Sequence, residues 1–409
     1  MKNFVVFLAA VLSVLVGCRE QPGRSEPGAT YRLAARPEVW RVIPRGQAEQ
    51  AGFLAGDVVL LYNGTSVRSN DAVREAQLQV PAGTERVTVT VLRGEEEMQL
   101  EVGPGPLGVM PVSARYPSSL ALALEDIMHQ LGLFTDYDWL AALTGESFTF
   151  TANADVCRAW WPGGKAGVYL ESLARVAGLK LVPLLDGTVE PSEAIRAALE
   201  RGSRVLVAGG WPEYRADFWG VASRWNEAEK RVYGFTLDSP DELPLTGAVR
   251  AAYAVEAGEG WAEPEELLAT VLDQALELNQ TFADSGWKSG FDAFDLLIAG
   301  LDTVPFCPVC GPEESQACFD RLVWVAIADK ESQLRFLEAM KVALPDQVPL
   351  LDEALGDIGA IVGKLEGVTR SGAQVELPAD REKLKFVFTE IEVVENDLIA
   401  VYEELIGGL

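Results

Sequence analysis

The chain has one histidine, His129, and five cysteines, Cys18, Cys157, Cys307, Cys310 and Cys318. A thiol becomes a nucleophile when an adjacent base takes its proton, and a carboxylate commonly orients that base. Cys157 with His129 is the pair that could do this, and Asp238 is a third candidate. Each member also has a plainer reading. His129 falls late in an amphipathic segment, where packing or a favourable contact with the helix dipole accounts for it. Cys157 sits in a loop-like stretch before Trp160 and Trp161, where burial or a disulfide accounts for it. A single imidazole excludes chemistry that needs two, such as His-rich zinc sites. Cys307-Pro308-Val309-Cys310, with Cys318 eight residues on, offers three thiolates. A second pair at zinc-finger spacing is missing, so neither a metal nor another cofactor is expected. A redox Cys-x-x-Cys needs a thioredoxin-like βαβ context, which the flanking sequence lacks. Cys157, Cys307, Cys310 and Cys318 are therefore disulfide candidates with every pairing open; one bridge stapling two helices is the expectation.

The elements that must hold these residues follow from composition and pattern. The chain has 409 residues, 48% hydrophobic and 23% charged, which is ordinary globular usage and enough for two or three domains. Its 61 acidic and 34 basic residues give a net charge of −27. That charge repels phosphate backbones, so no nucleic-acid partner is expected. Residues 1–110 hold 11 basic and 12 acidic side chains, so the acidity belongs to the middle and C-terminal parts, mostly as solvated helix faces. No Asp-rich loop there has calcium-ligand spacing.

Residues 1–18 read as an address. Met1-Lys2-Asn3 is a short positive start, and Phe4 to Val14 is nearly all apolar. That run is too short to span a bilayer but suits a signal-peptide core. Leu15-Val16-Gly17-Cys18 resembles the lipobox of bacterial lipoproteins. The resemblance implies cleavage before Cys18, acylation of its thiol and amine, and residence outside the cytoplasm in the bacterial envelope. Arg19, in place of an aspartate, points toward an outer membrane where the cell has one. Residues 19–30 are rich in Pro, Gly and Ser and read as a flexible tether.

Residues 31–110 read as a small β-rich module. Val39 to Ile43 alternates, Ala48 to Ala51 is one helical turn, and Val58 to Tyr62 is an apolar strand. Asn63-Gly64 is a hairpin turn. Ser69 can cap a helix running to about Gln79, and Val87 to Leu92 pairs across Arg93-Gly94-Glu95 with Met98 to Val102. This order, with Ala48 to Asp57, Asn63-Gly64 and Val91-Leu92-Arg93-Gly94, resembles a PDZ domain. Gly105-Pro106-Leu107-Gly108-Val109 closes the module rather than opening it, which is similar to the circularly permuted bacterial form. The resemblance implies a carboxylate-binding loop of Pro106, Leu107, Gly108 and Val109, in which the N–H groups of the residues other than proline form a nest for a peptide C terminus. The helix carrying Val73 and Gln77 would form the opposite wall of a groove that takes a peptide as an added strand.

Residues 111–261 read as α+β. Helices are expected at Ser118–Leu131, from Asp136 onward, at 167–177 and at Pro191–Glu200, with strands at 147–151, 179–185 and 204–208. A hairpin at 218–225 and 231–235 precedes Asp238-Ser239-Pro240. The order resembles the papain-like domains of bacteriocin-processing peptidases and of the butirosin-biosynthesis acyltransferase. There a helix-borne cysteine is activated by a histidine opening the first hairpin strand. Here that position falls near Asp217-Phe218-Trp219, without a histidine, and the first two helices carry no cysteine. The resemblance thus implies a domain that has lost base and nucleophile. Trp160, Trp161, Trp211, Trp219 and Trp225 read as core, with a groove lining as the alternative. Residues 262–409 read as a helical bundle packed on this domain.

The expectation is a multidomain protein: a PDZ-like β module, a degenerate papain-like α+β domain, then helices. It would be a lipid-anchored binding or scaffold protein that takes peptide tails or strands. The rivals are a cysteine amidase, peptidase or acyltransferase using Cys157 and His129, and a purely structural envelope lipoprotein.

Overall fold

A computed structural model describes residues 26–409 except 44, 45, 106, 134, 154–168, 213, 214, 216, 238, 282, 285, 286, 308 and 310. It is mixed α and β, with several sheets and a helical C-terminal region.

The first helix, α1 (Ala29–Ala34), precedes the small module. That module runs β1 (Val39–Val42), α2 (Gln47–Ala51), β2 (Val58–Tyr62), β3 (Thr65–Ser66), α3 (Asn70–Leu78), β4 (Val87–Arg93), β5 (Glu96–Val102) and β6 (Val109–Pro111). Strands β3-β2-β4-β5 form one antiparallel sheet, and β1 with β6 a second. Val87, Val89 and Val91 alternate inward and are fully buried, as a half-covered strand requires. With Val39, Phe53 and Tyr62 they form a core separate from the rest of the molecule.

Next come α4 (Ser119–Gln130), α5 (Tyr137–Leu143), β7 (Thr151–Asn153), α6 (Leu170–Val176), β8 (Leu179–Pro183) and α7 (Pro191–Glu200). The strands β9 (Arg204–Gly209), β10 (Trp219–Asn226), β11 (Arg231–Thr236), β12 (Leu243–Pro244) and β13 (Val249–Ala257) follow. They make one six-stranded antiparallel sheet in the order β12-β11-β10-β9-β13-β8. Helix α4 lies on β9 and β10. Leu120, Leu122, Leu124 and Ile127 are completely buried, each contributing about 2 kcal/mol of burial. The expected strand at 147–151 is instead a short 3-10 turn, Glu146–Phe148, followed by β7.

The C-terminal part comprises α8 (Pro264–Thr281), β14 (Ala283–Asp284), β15 (Trp287–Ser289), α9 (Phe291–Leu301), α10 (Gly311–Ala343), α11 (Val348–Ser371) and α12 (Pro378–Gly408). It is not a separate unit. Strand β15 pairs with β7 of the middle region, and one core extends from Tyr31 to Leu405. The Asp138 carboxylate of α5 ties the parts together: Arg115 and Arg335 each reach it at 2.7 Å, and the Ser332 hydroxyl at 2.7 Å. Lys330 of α10 and Glu395 of α12 pair at 2.6 Å with both side chains only 6% exposed.

Two junctions lay outside sequence reasoning. The end of the expected tether is docked: Gly28 and Thr30 are buried, and Tyr31 and Ala34 belong to the larger core, not to the module. The module itself leans on the helices through β1. Arg41 forms ion pairs with Glu331 and Glu366, and Trp40 meets Trp324 edge-to-face at 6.0 Å.

Candidate functional site

The expected peptide site would lie along β6. Gly105 and Gly108 have φ of +102° and +76°, a backbone region that side chains strain to enter. They turn the chain so that Leu107 is buried in the module core. The turn is pinned from behind: the Ala48 N–H donates to Leu107 O at 3.0 Å and the Ile43 N–H to Gly108 O at 2.9 Å. Pro106 lies outside the described residues. Strand β6 then pairs antiparallel with β1. The Val112 N–H donates to Glu38 O, so even-numbered residues turn toward β1 and Val109 and Pro111 turn away, as strand alternation demands. The outward edge therefore offers the Val109 N–H and two carbonyls, because Pro111 has no N–H. Among the described residues no strand pairs with that edge.

Helix α3 supplies the other candidate wall. Ser69 caps it by accepting the Ala72 N–H at 3.2 Å. Val73 and Gln77, one turn apart, are half-buried. Asn70 fixes the helix start: its amide Nδ2 donates to Ser113 Oγ, just beyond β6, at 3.0 Å. Behind the groove, Asp57 is fully buried and receives the Arg93 Nε–H at 2.7 Å and the Leu54 N–H at 2.9 Å. Burial pushes its carboxyl up, but the Arg93 hydrogen bond, the Leu54 N–H and the guanidinium charge outweigh this and hold it below the usual range.

The middle region does not gather its sequence candidates. Cys157 and Asp238 lie outside the described residues, as do Trp160 and Trp161. His129 stands in the last turn of α4. Its Nδ1 is 3.4 Å from Thr30 Oγ1 and its Nε2 3.3 Å from Thr135 O. The contact that sequence did not reveal is at the other end of this helix, about 15 Å away. Ser119 Oγ accepts the Trp219 N–H at 3.1 Å, and Thr236 Oγ1 donates to Trp219 O at 2.8 Å. Ser119 is 1% exposed and Trp219 5%, so water does not reach this junction. Ser118 and Ser119 carried only a cap signal in the sequence. Trp211 and Trp219 are core and Trp225 is half-buried.

Cys307 and Cys318 are both buried, while Cys310 lies outside the described residues. Among the described residues no three His, Cys, Asp or Glu side chains gather as a metal site, and no helix is long and apolar enough to cross a membrane. A cleft of about 750 Å³ opens beside the edge strand β8, between Glu171 and Arg175 of α6 and the 258–263 segment. Its lining carries Glu171, Glu259, Glu263 and Glu266 with Arg175 and Lys180; Arg175 pairs with Glu266, and Lys180 with Glu256 outside the cleft. The known family models do not match this chain, and neither do the curated proteins.

Proposed function

We propose that this is a lipid-anchored envelope protein that captures polypeptide C termini, or exposed strands, along β6 of its PDZ-like module. The observation that carries the reading is the positive φ of Gly105 and Gly108, leading into a strand that, among the described residues, is paired on one edge only. A carboxylate would sit on the turn's N–H groups, and the peptide would add beside Val109. Since Pro111 withdraws a donor, recognition reaches only the last two or three residues. The larger body would act as a rigid support. Its papain-like resemblance is of a domain without a working engine: the helix residue meeting the expected histidine position is Ser119, buried and bonded to the Trp219 backbone.

The test is a titration of short peptides into the full-length protein. Free carboxylates should bind at least about tenfold more tightly than their amides, a difference of about 1.4 kcal/mol. Val73→Asp should weaken binding of the free acid by more than its effect on unfolding accounts for, since Val73 packs only partly against the module core. Equal affinity for acid and amide would end the reading.

A further inference from the structure

We infer that the exposed face of α1 is a lipid-contact surface that seats the body against anionic phospholipid headgroups. This rests on the anchoring reading above. From Cys18 to Glu26 there are eight residue steps, which an extended chain spans in at most about 29 Å. Beyond Glu26 the chain is held. The Gly28 and Thr30 N–H groups donate to Asp126 at 2.9 and 3.1 Å, and Gln130 Nε2 donates to it at 2.8 Å. Asp126 is fully buried, and Tyr31, 1% exposed, stacks on Phe235 with ring centroids 6.2 Å apart. Gly28 has φ +79°, and a Cβ there would come within 2.4 Å of the Phe235 ring, so the chain enters the body at one defined place.

A compact body of this length has a radius of gyration of about 22 Å. A leash of about 29 Å cannot carry a lipid round to its far side. The anchored lipid therefore stays within about 29 Å of Glu26, which puts the surface beside α1 within reach of the bilayer. What it presents suits that position. Leu33 is 55% exposed, and the Arg32 and Arg36 side chains beside it are 44% and 46% exposed. Their partners, Glu26 at 4.0 Å and Glu38 at 3.6 Å, are surface pairs that lipid phosphates readily replace. Arg32 also lies 5.4 Å over the Phe235 ring, which holds it in place. With Glu26 and Glu38 beside the two arginines the spot is neutral in a chain of net charge −27, so an anionic surface meets less repulsion here than over the rest of the molecule.

The experiment uses the acylated full-length protein in vesicles of phosphatidylcholine with phosphatidylglycerol. A fluorescent amino acid at position 33 is the donor, and headgroup-labelled lipid the acceptor. Energy transfer should fall at least about threefold when a Gly/Ser spacer of about 20 residues is inserted between Ser25 and Glu26. It should also fall with Arg32→Glu and Arg36→Glu together, but only when phosphatidylglycerol is present. The spacer leaves the body's packing intact, so misfolding cannot imitate its effect. Transfer unchanged by the two charge reversals in vesicles with phosphatidylglycerol, in protein that still partitions into detergent, overturns this inference alone, because the spacer lowers transfer for any tethered body. Absence of any acyl chain overturns the anchoring reading and this one with it.

Discussion

The small module and the larger body were assembled by different rules. In the module, residues close in sequence make the decisive contacts: Asn63-Gly64 turns β2 into β3, and β4 pairs with β5 along its full length. In the body, the decisive contacts join distant segments. Asp126 holds Gly28 across 98 residues, Ser119 meets Trp219 across 100, and Asp138 meets Arg335 across 197. A fold made of local pairings is legible from turn chemistry. A fold made of distant ones is legible only in its parts.

That contrast has consequences for stability. The largest effect belongs to the body. Glu395→Ala strands the Lys330 ammonium in the core and should cost about 3–5 kcal/mol, whereas Lys330→Met with Glu395→Leu should recover most of it. Denaturant unfolding monitored at the tryptophans would report this; a loss below about 1 kcal/mol would mean the pair is solvated. A smaller effect belongs to the module. Asp57→Asn should cost about 2 kcal/mol by weakening a charge-assisted clasp. Because the folded carboxyl is held below its unfolded value, its stabilisation is present above about pH 4 and lost as pH falls through the lowered folded value. The variant should lack that acid-sensitive component, which a pair of unfolding series from neutral to acid pH would show. The smallest effect is at the junction. Arg41→Ala should change either core by less than about 1 kcal/mol. It should nevertheless loosen the module on the helices, seen as faster amide exchange in β1 with β5 unchanged. Equal exchange in both would show that Trp40 alone holds the junction.

Helix positions came through well from the apolar stripe: Pro191–Glu200 matches α7 residue for residue, and the expected Ser118–Leu131 matches α4 to one residue at each end. Strand β13 drew no expectation. Val249–Ala257 has four alanines in nine residues and carries no clear alternation; it is a strand because it fills the slot between β9 and β8. The tether reading failed at its end for a related reason. Pro, Gly and Ser near Thr30 predict mobility, but composition does not disclose a buried carboxylate nearly a hundred residues on that caps Gly28 and Thr30. Of the candidate site, the turn at Gly105 and Gly108 was legible, since their positive φ is a local demand; the roles of Val73 and Gln77 belong to the proposal. That Pro111 faces outward was not visible, because strand parity is set by pairing with β1.

By itself the sequence determined what short-range physics controls: turn glycines, capping serines, apolar periodicity and the scarcity of imidazole. Only the tertiary structure decided which elements share a core, where the chain's first described residues dock, and which hydroxyl meets Trp219. Those outcomes depend on contacts whose closing entropy is repaid only when many form together, so no single segment carries their signal.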